Sequence, residues 1–222
     1  MPNGFFTDIF RSPPIASDIA DSQRRYQPVP ANAHPTDIFA VRRNICTVPG
    51  FRFINKTNYK QMLMFIDGAC SNNGQLGARA GCGIRLTSLD ISRNGIAHAL
   101  EYDGITPHTS NRAELRAAVV ALGLRYWPGE GFNNVILACD SEYVVLGACE
   151  RLNKWIRNGW TTARGTPVQH RDLWEALLAQ LREMEGYGLL VQFWLIPRQW
   201  NEADSVAKEA AVSITHPPAC KT

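Results

Sequence analysis

The sequence predicts an α/β fold in which one five-stranded mixed sheet is flanked by helices. Three observations carry this expectation. Apolar runs of strand length recur five times after residue 60. The first three follow one another directly, whereas the later ones alternate with segments of helical period. The helical segments each bear a single apolar stripe, as helices packed on a sheet do. Three consecutive strands followed by alternating units give a mixed sheet with helices against it.

The elements follow in order. Gln61 to Asp67 reads as a buried strand, and Asp67 to Ala80, with Gly68, Asn72, Asn73, Gly74 and Gly77, as a turn-rich loop. Gly81 to Thr87 and Ala97 to Tyr102 read as strands joined near Asn94-Gly95, a strong hairpin signal. Thr109 or Ser110 is a natural N-cap for a helix with Leu115, Ala118, Val119 and Leu122 at i, i+3, i+4 and i+7. That helix ends before Pro128-Gly129. A strand at Val135 to Cys139 and a helix from Ser141 to about Leu152 come next. A segment with Trp155 and Trp160 among Arg151, Lys154, Arg157 and Arg164 follows. Pro167 opens a helix with Leu173, Leu177, Leu181 and Met184 on one side. Leu190 to Ile196 is the fifth strand, and the last helix presents Ala203, Ala207, Ala210, Ala211 and Ile214.

Residues 1–58 differ from the rest. Seven of the 13 prolines fall in the first fifty positions, and Pro13-Pro14 and Pro28-Val29-Pro30 break any helical period. The segment is expected to be an extended or disordered extension, with Phe51 and Phe53 docking on the domain edge. Residues 59–215 form the domain and 216–222 a tail. A chain of 222 residues with 45% hydrophobic content supports one well-buried core plus an appendage. No stretch approaches the ~20 apolar residues of a membrane span, so no membrane partner is expected. A net charge of +3 permits nucleic-acid binding without demonstrating it. The six cysteines form no C-x-x-C pair and read as reduced thiols, which places the chain inside the cell. Nucleus or cytoplasm is expected rather than mitochondrion, since Asp8, Asp18 and Asp21 accompany Arg11, Arg24 and Arg25.

Four acidic residues carry the chemistry. Asp67 and Asp140 each close an apolar run. Glu114 and Asp204 lie where amphipathic helices begin. Two carboxylates at strand ends and two in first helical turns can converge on one point. Such a cluster repels itself unless cations neutralise it, and hard oxygen ligands favour Mg²⁺ or Mn²⁺ over zinc. Two such ions about 4 Å apart clamp the attacking and leaving oxygens of a phosphodiester displacement. Taken singly, each acid is as well explained as a turn former or helix-start residue. Gly68 is expected to let substrate or metal approach the backbone.

The motifs Asp67-Gly68-Ala69-Cys70-Ser71-Asn72-Asn73-Gly74, Thr109-Ser110-Asn111-Arg112-Ala113-Glu114-Leu115, Asp140-Ser141-Glu142-Tyr143-Val144, Gly159-Trp160 with Asp172-Leu173-Trp174, and Asn201-Glu202-Ala203-Asp204-Ser205-Val206-Ala207 stand in one order. In that order and spacing they resemble ribonuclease H of type 1, in a solitary, fungal-like form with an N-terminal extension. The resemblance implies the ribonuclease H-like fold. It also implies endonucleolytic hydrolysis of the RNA strand of RNA/DNA hybrids, leaving 3′-hydroxyl and 5′-phosphate ends. By the same resemblance Asp67, Glu114, Asp140 and Asp204 hold two Mg²⁺ ions, with Mn²⁺ as substitute. Asn73, Ser110 and Asn111 read the 2′-hydroxyls, Thr109 and His170 take a DNA phosphate, and Trp155 with its basic neighbours follows the DNA strand. The chain departs from the family's pattern in three places. His170 stands where an asparagine is usual, Ser110 replaces an amide, and no histidine lies between Arg171 and Thr215. The loop before Asp204 instead offers Arg198, a cation able to attract a phosphate, and Trp200 as its anchor. The absent histidine puts turnover in doubt, since it is credited with assisting release.

Other readings use the same fold. A catalytically weak or silent hybrid-binding module should have lost a carboxylate, and all four remain. A retroelement fragment would carry a polymerase, of which residues 1–58 show no trace. A proofreading exonuclease would show Asp-x-Glu where Asp67-Gly68-Ala69 stands. The expected partner is the hybrid alone, bound by a monomer without an obligate protein partner.

Overall fold

The computed structural model describes residues 21–44, 49–75, 77–88, 95–101 and 107–212. At its centre is β3 (Gln61–Ser71). One side of β3 pairs in parallel with β6 (Asn134–Cys139), which pairs in parallel with β7 (Leu190–Leu195). Its other side pairs antiparallel with β4 (Arg79–Arg85), and β4 with β5 (Gly95–Ala99). These are the five strands expected from the sequence. Tyr102, Asn94 and Ile214, on which parts of that expectation fell, lie outside the described residues, as do residues 216–222.

The central run is apolar throughout because β3 is buried on both faces. Met62, Met64 and Ile66 point into one cluster, with the helices α3 (Ser110–Gly123) and α6 (Arg171–Gly186). Leu63 and Phe65 point into a second cluster with Phe39, Phe53, Ile136, Trp194 and Ile196. On α6 the buried side chains include Leu173, Leu177, Leu181 and Met184, as the period predicts, with Trp174 and Leu178 besides. The last helix, α7 (Asp204–Val212), lies on the opposite face from α3. Its alanine side meets β4 where that strand has no side chains. A Cβ on Gly83 would lie 2.5 Å from Ala207 N, and one on Gly81 2.5 Å from Ala210 Cβ.

Residues 1–20 and 45–48 lie outside the described residues, but for the rest of the upstream segment the structure corrects the expectation. Residues 39–44 and 50–55 are not an extended or disordered arm but an antiparallel pair, β1 (Phe39–Asn44) and β2 (Gly50–Asn55). The pair joins β3 through Phe53↔Leu63 and Ile54↔Met62, so among the described residues the sheet has seven strands rather than five. The physical reason is the second cluster. Phe39 and Phe53 are 2% and 3% exposed and complete an apolar face that β3, β6 and β7 leave open. Arg52 anchors the pair by donating two hydrogen bonds, at 2.9 and 3.1 Å, to the buried Glu130 carboxylate. Further upstream, α1 (Asp21–Arg24) is held by a buried Arg24–Glu185 ion pair at 2.5 Å, and Tyr26 N donates to Phe193 O at 2.9 Å.

Boundaries also shift. β4 and β5 each begin two residues earlier than expected, and α6 begins at Arg171 rather than at Pro167. β3 continues four residues beyond Asp67, paired from Asp67↔Gly83 to Ser71↔Arg79, so the expected turn-rich loop begins later. The helix after Asp140 extends past Leu152. It runs as α4 (Glu142–Leu146), a π turn (Gly147–Arg151) and α5 (Leu152–Arg157).

Because Phe53 packs edge-on against Phe65 at 5.2 Å in this second cluster, Phe53→Ala should destabilise the protein by about 3–5 kcal/mol. Urea denaturation followed by tryptophan fluorescence measures this. A loss below 1 kcal/mol would show that β1 and β2 are an appendage after all.

Candidate active site

The strand register brings the first two acids together. Phe65 pairs with Ala138 in the parallel β3–β6 ladder. Advancing two residues on each strand reaches Asp67 and Asp140, side by side where the ladder ends. Asp140 lies just past β6, and Ser141 turns the chain into α4, its Oγ accepting from Val144 N at 3.4 Å. Asp67 is therefore in mid-strand rather than at a strand end.

Glu114 arrives on α3. Thr109 caps that helix, its Oγ1 accepting from Arg112 N at 3.2 Å. Glu114 is the fifth helical residue, one beyond the first turn in which the sequence placed it. What sets its height over the sheet is Gly68. A Cβ there would lie 2.1 Å from Glu114 N and 2.4 Å from Ala113 C. Gly68 thus admits the helix backbone, not substrate or metal as expected from sequence.

Asp67, Glu114 and Asp140 each place a carboxylate oxygen within 4.8 Å of the others. The electrostatics of this crowding are plain. Burial, then the charge of Asp140, push the Asp67 carboxyl from 3.8 up to about 7. Burial, then the charges of Asp67 and Asp140, push Glu114 from 4.5 to about 9. Glu114 Oε2 is buried with no hydrogen-bond partner. An oxygen-only donor set with an unpartnered buried oxygen and mutual repulsion fits a hard divalent cation.

The fourth acid stands beside this group rather than within it. Asp204 Oδ1 accepts from Arg198 Nη2 at 3.0 Å, and Oδ2 from Lys208 Nζ at 2.6 Å. The Lys208 bond, together with Arg198, lowers its pKa, opposite in direction to Asp67 and Glu114. Arg198 also lies 4.0 Å from Asp140 Oδ2. Both Asp204 oxygens thus have cationic partners, which is why it does not share the three-acid pocket.

Asn201, which sequence reasoning treated only as part of a motif, ties the pieces together. It is buried, and its Nδ2 donates to Asp140 Oδ1 at 2.8 Å and to Ile66 O at 3.0 Å. Its Oδ1 accepts from Ala203 N at 3.1 Å. One amide side chain thereby links β3, the end of β6 and the start of α7. The available signal was a polar residue just ahead of an alanine-rich helix.

The remaining expected site residues divide into groups. Asn73, Thr109, Ser110, Asn111 and His170 line one surface depression with Gly74 and Gln169. Asn73 Oδ1 accepts from Ser110 N at 3.0 Å, and Thr109 Oγ1 lies 3.5 Å from His170 Nε2. Trp155 is elsewhere, edge-on to Trp174 at 5.2 Å. It lines a second hollow with Arg151, Lys154, Arg157 and Arg164. Arg198 belongs with the acids rather than with either hollow.

The RNase H family model matches residues 59–212. A ribonuclease H of Geotalea uraniireducens (strain Rf4) is 40% identical over 116 residues, 52% of this chain and 70% of that protein. One of Symbiobacterium thermophilum is 34% identical over 158 residues, 70% of this chain and 98% of that protein. Among solved structures, a foamy viral protease-reverse transcriptase in complex with dsDNA superposes with a TM-score of 0.52. It does so at 21% identity, covering 68% of this chain and 94% of that one, which is a likeness of fold.

The acid cluster makes stability depend on pH. Asp67 and Glu114 hold their protons more tightly folded than unfolded, so the folded state binds more protons between about pH 4 and their folded values. Stability from these groups is full below pH 4 and is lost as pH rises through about 7 for Asp67 and about 9 for Glu114. Thermal melts in EDTA should therefore show Asp67→Asn more stable than the unmodified chain at pH 8, by on the order of 2 kcal/mol, with the gain gone at pH 4. A variant less stable at pH 8 would mean that the cluster is not self-repelling.

Proposed function

The chain belongs to the ribonuclease H family, and we propose that Asp67, Glu114, Asp140 and Asp204 are the centre at which it hydrolyses the RNA strand of RNA/DNA hybrids. The observation that carries this reading is the convergence of the Asp67, Glu114 and Asp140 carboxylates, with one oxygen of Glu114 buried and unpartnered. Enzymes of this family are metal-dependent, and the four acids would hold two Mg²⁺ ions, with Mn²⁺ as substitute. When bound, such ions supply an activated water and a Lewis-acid partner for the departing 3′ oxygen.

The chain's own residues position the reactants. Asn201 holds Asp140 Oδ1 in place, and the close approach at Gly68 sets the reach of Glu114. Asn73 uses its carbonyl on Ser110 N, which leaves its amide nitrogen to donate to a 2′-hydroxyl. Ser110 and Asn111 share that depression and complete a minor-groove reader of RNA. Thr109 and His170 at its far end take a phosphate of the DNA strand. Arg151, Lys154, Arg157 and Arg164 around Trp155 follow that strand further, with sequence-independent charge contacts.

The type 1 assignment rests on the ordered motifs. A fungal-like affiliation is proposed with it. The acid cluster is assembled within one chain, which supports action as a monomer. Free thiols at Cys70, Cys82, Cys139 and Cys149 support an intracellular setting, proposed as nucleus or cytoplasm. Among the described residues no helix is long and apolar enough to cross a membrane.

Cleavage of a labelled hybrid, beside single-stranded RNA and duplex DNA, tests the reading. Asp140→Asn should fold normally and cleave slower by on the order of 10³, the effect of losing ~4 kcal/mol of transition-state stabilisation. Undiminished cleavage by that variant, or full activity in EDTA, sinks the mechanism. Binding without cleavage by the unmodified chain would favour the silent hybrid-binding module. In a second measurement, replacing Lys154 and Arg157 by alanine should weaken hybrid binding and flatten its dependence on log salt by about one to two counterions. An unchanged slope assigns that hollow to packing.

A further inference from the structure

We propose that the segment upstream of the family domain takes part in the acidic site, with His34 as a positioning residue for Arg198. The proposal rests on the ribonuclease reading for its consequence and on geometry for its substance. The family match begins at residue 59, yet residues 24–41 run across the second sheet face and pass, at His34, beside the Arg198–Trp200 turn. Tyr26 packs on Trp194 at 5.1 Å, and Lys56 Nζ donates to Thr36 O at 2.7 Å. Between these anchors the His34 ring meets Trp200 edge-on at 4.8 Å.

Trp200 belongs to a single 3₁₀ turn, Arg198–Trp200. The turn is closed by Trp200 N to Pro197 O at 2.9 Å and Asn201 N to Arg198 O at 3.0 Å. At its other end, Arg198 reaches Asp204 at 3.0 Å and Asp140 at 4.0 Å. The two residues share the backbone of one turn, so a shift of Trp200 moves the point from which Arg198 reaches the carboxylates. A ring seated against Trp200 therefore fixes how closely the guanidinium approaches the carboxylates, where it competes with a divalent cation.

His34 also caps the short helix α2 (Pro35–Ile38), its Nδ1 accepting from Thr36 N at 3.2 Å. Two variants separate these roles. His34→Asn keeps a capping side chain and removes the ring. His34→Phe keeps the ring and removes the cap. The measurement is a Mg²⁺ titration of the full metal-free chain, followed through the tryptophan indole N–H resonances.

With the ring gone, Arg198 is released and competes less. His34→Asn should then lower the Mg²⁺ midpoint by about three- to tenfold, the range an aromatic edge contact supports. Arg198→Ala should lower it at least as far, and His34→Asn added to Arg198→Ala should change nothing more. His34→Phe should titrate like the unmodified chain. An unmoved midpoint in His34→Asn, an equal shift in His34→Phe, or additive shifts would each overturn the proposal. Absence of any saturable Mg²⁺ response would overturn both this inference and the metal-dependent mechanism. Failure of the unmodified chain to cleave hybrid, with the midpoints behaving as described, would overturn the ribonuclease reading alone.

Discussion

Carboxylates do not gather in a buried pocket by their own preference, so the packing that compels them is the constraint on which the rest of the structure depends. Two contacts impose it. The parallel register of β3 and β6 sets Asp67 beside Asp140, and the missing side chain at Gly68 lets the α3 backbone settle until Glu114 closes over both. Neither contact involves the acids themselves. The cost is visible in the upward shifts of Asp67 and Glu114, which burial and mutual charge produce together. That cost is carried by a central strand buried on both faces, where Met62, Leu63, Met64, Phe65 and Ile66 are each no more than 1% exposed. Apolar burial at about 25 cal/mol per Å² over such a strand outweighs the repulsion of a few unpaired charges.

The same logic explains why the upstream residues are ordered. A sheet with α3 and α6 on one face needs an equivalent cover on the other. The helix α7 supplies it over β4, where Gly81 and Gly83 make room for its alanines. Over β6 and β7 the cover comes instead from Phe39, Phe53 and Tyr26. The buried pairs Arg52–Glu130 and Arg24–Glu185 fix the register of this cover more than they add stability, since desolvation offsets much of a buried ion pair's attraction.

Much of this was legible in the sequence, because the signals were periodic or chemical. Five strands, the stripes of α3 and α6, the Thr109 cap and the convergence of Asp67, Glu114 and Asp140 follow from residue pattern. What was not legible depended on partners distant in the chain. Prolines at 28, 30 and 35 hid a strand pair whose value lies in Leu63, Phe65 and Trp194. Glycines suggested that β3 stops at Asp67, whereas Gly81 and Gly83 on the facing strand let it run on to Ser71. Gly68 looked like room for a ligand and is room for a helix. Asn201 read as one member of a motif, yet its two donor bonds reach back to Ile66 and Asp140. No local pattern encodes a bond across that separation.

The treatment of Asp204 shows how the chain handles charge without an imidazole in its last loop. Asp67 and Glu114 are left to repel, while Asp204 has one cation on each oxygen. One of these is Arg198, a guanidinium that stays charged at any ordinary pH. An imidazole in that loop would come and go as a cation near neutrality, and its hold on the carboxylates would vary with pH. A guanidinium holds steadily, so access to Asp204 is governed by where the arginine sits rather than by whether it is protonated. Position is set by packing, and the packing here passes through Trp200 to residues outside the family domain. In this chain, then, control of the fourth carboxylate is a matter of geometry, and the segment read from sequence as an extended or disordered extension is one of the surfaces that sets it.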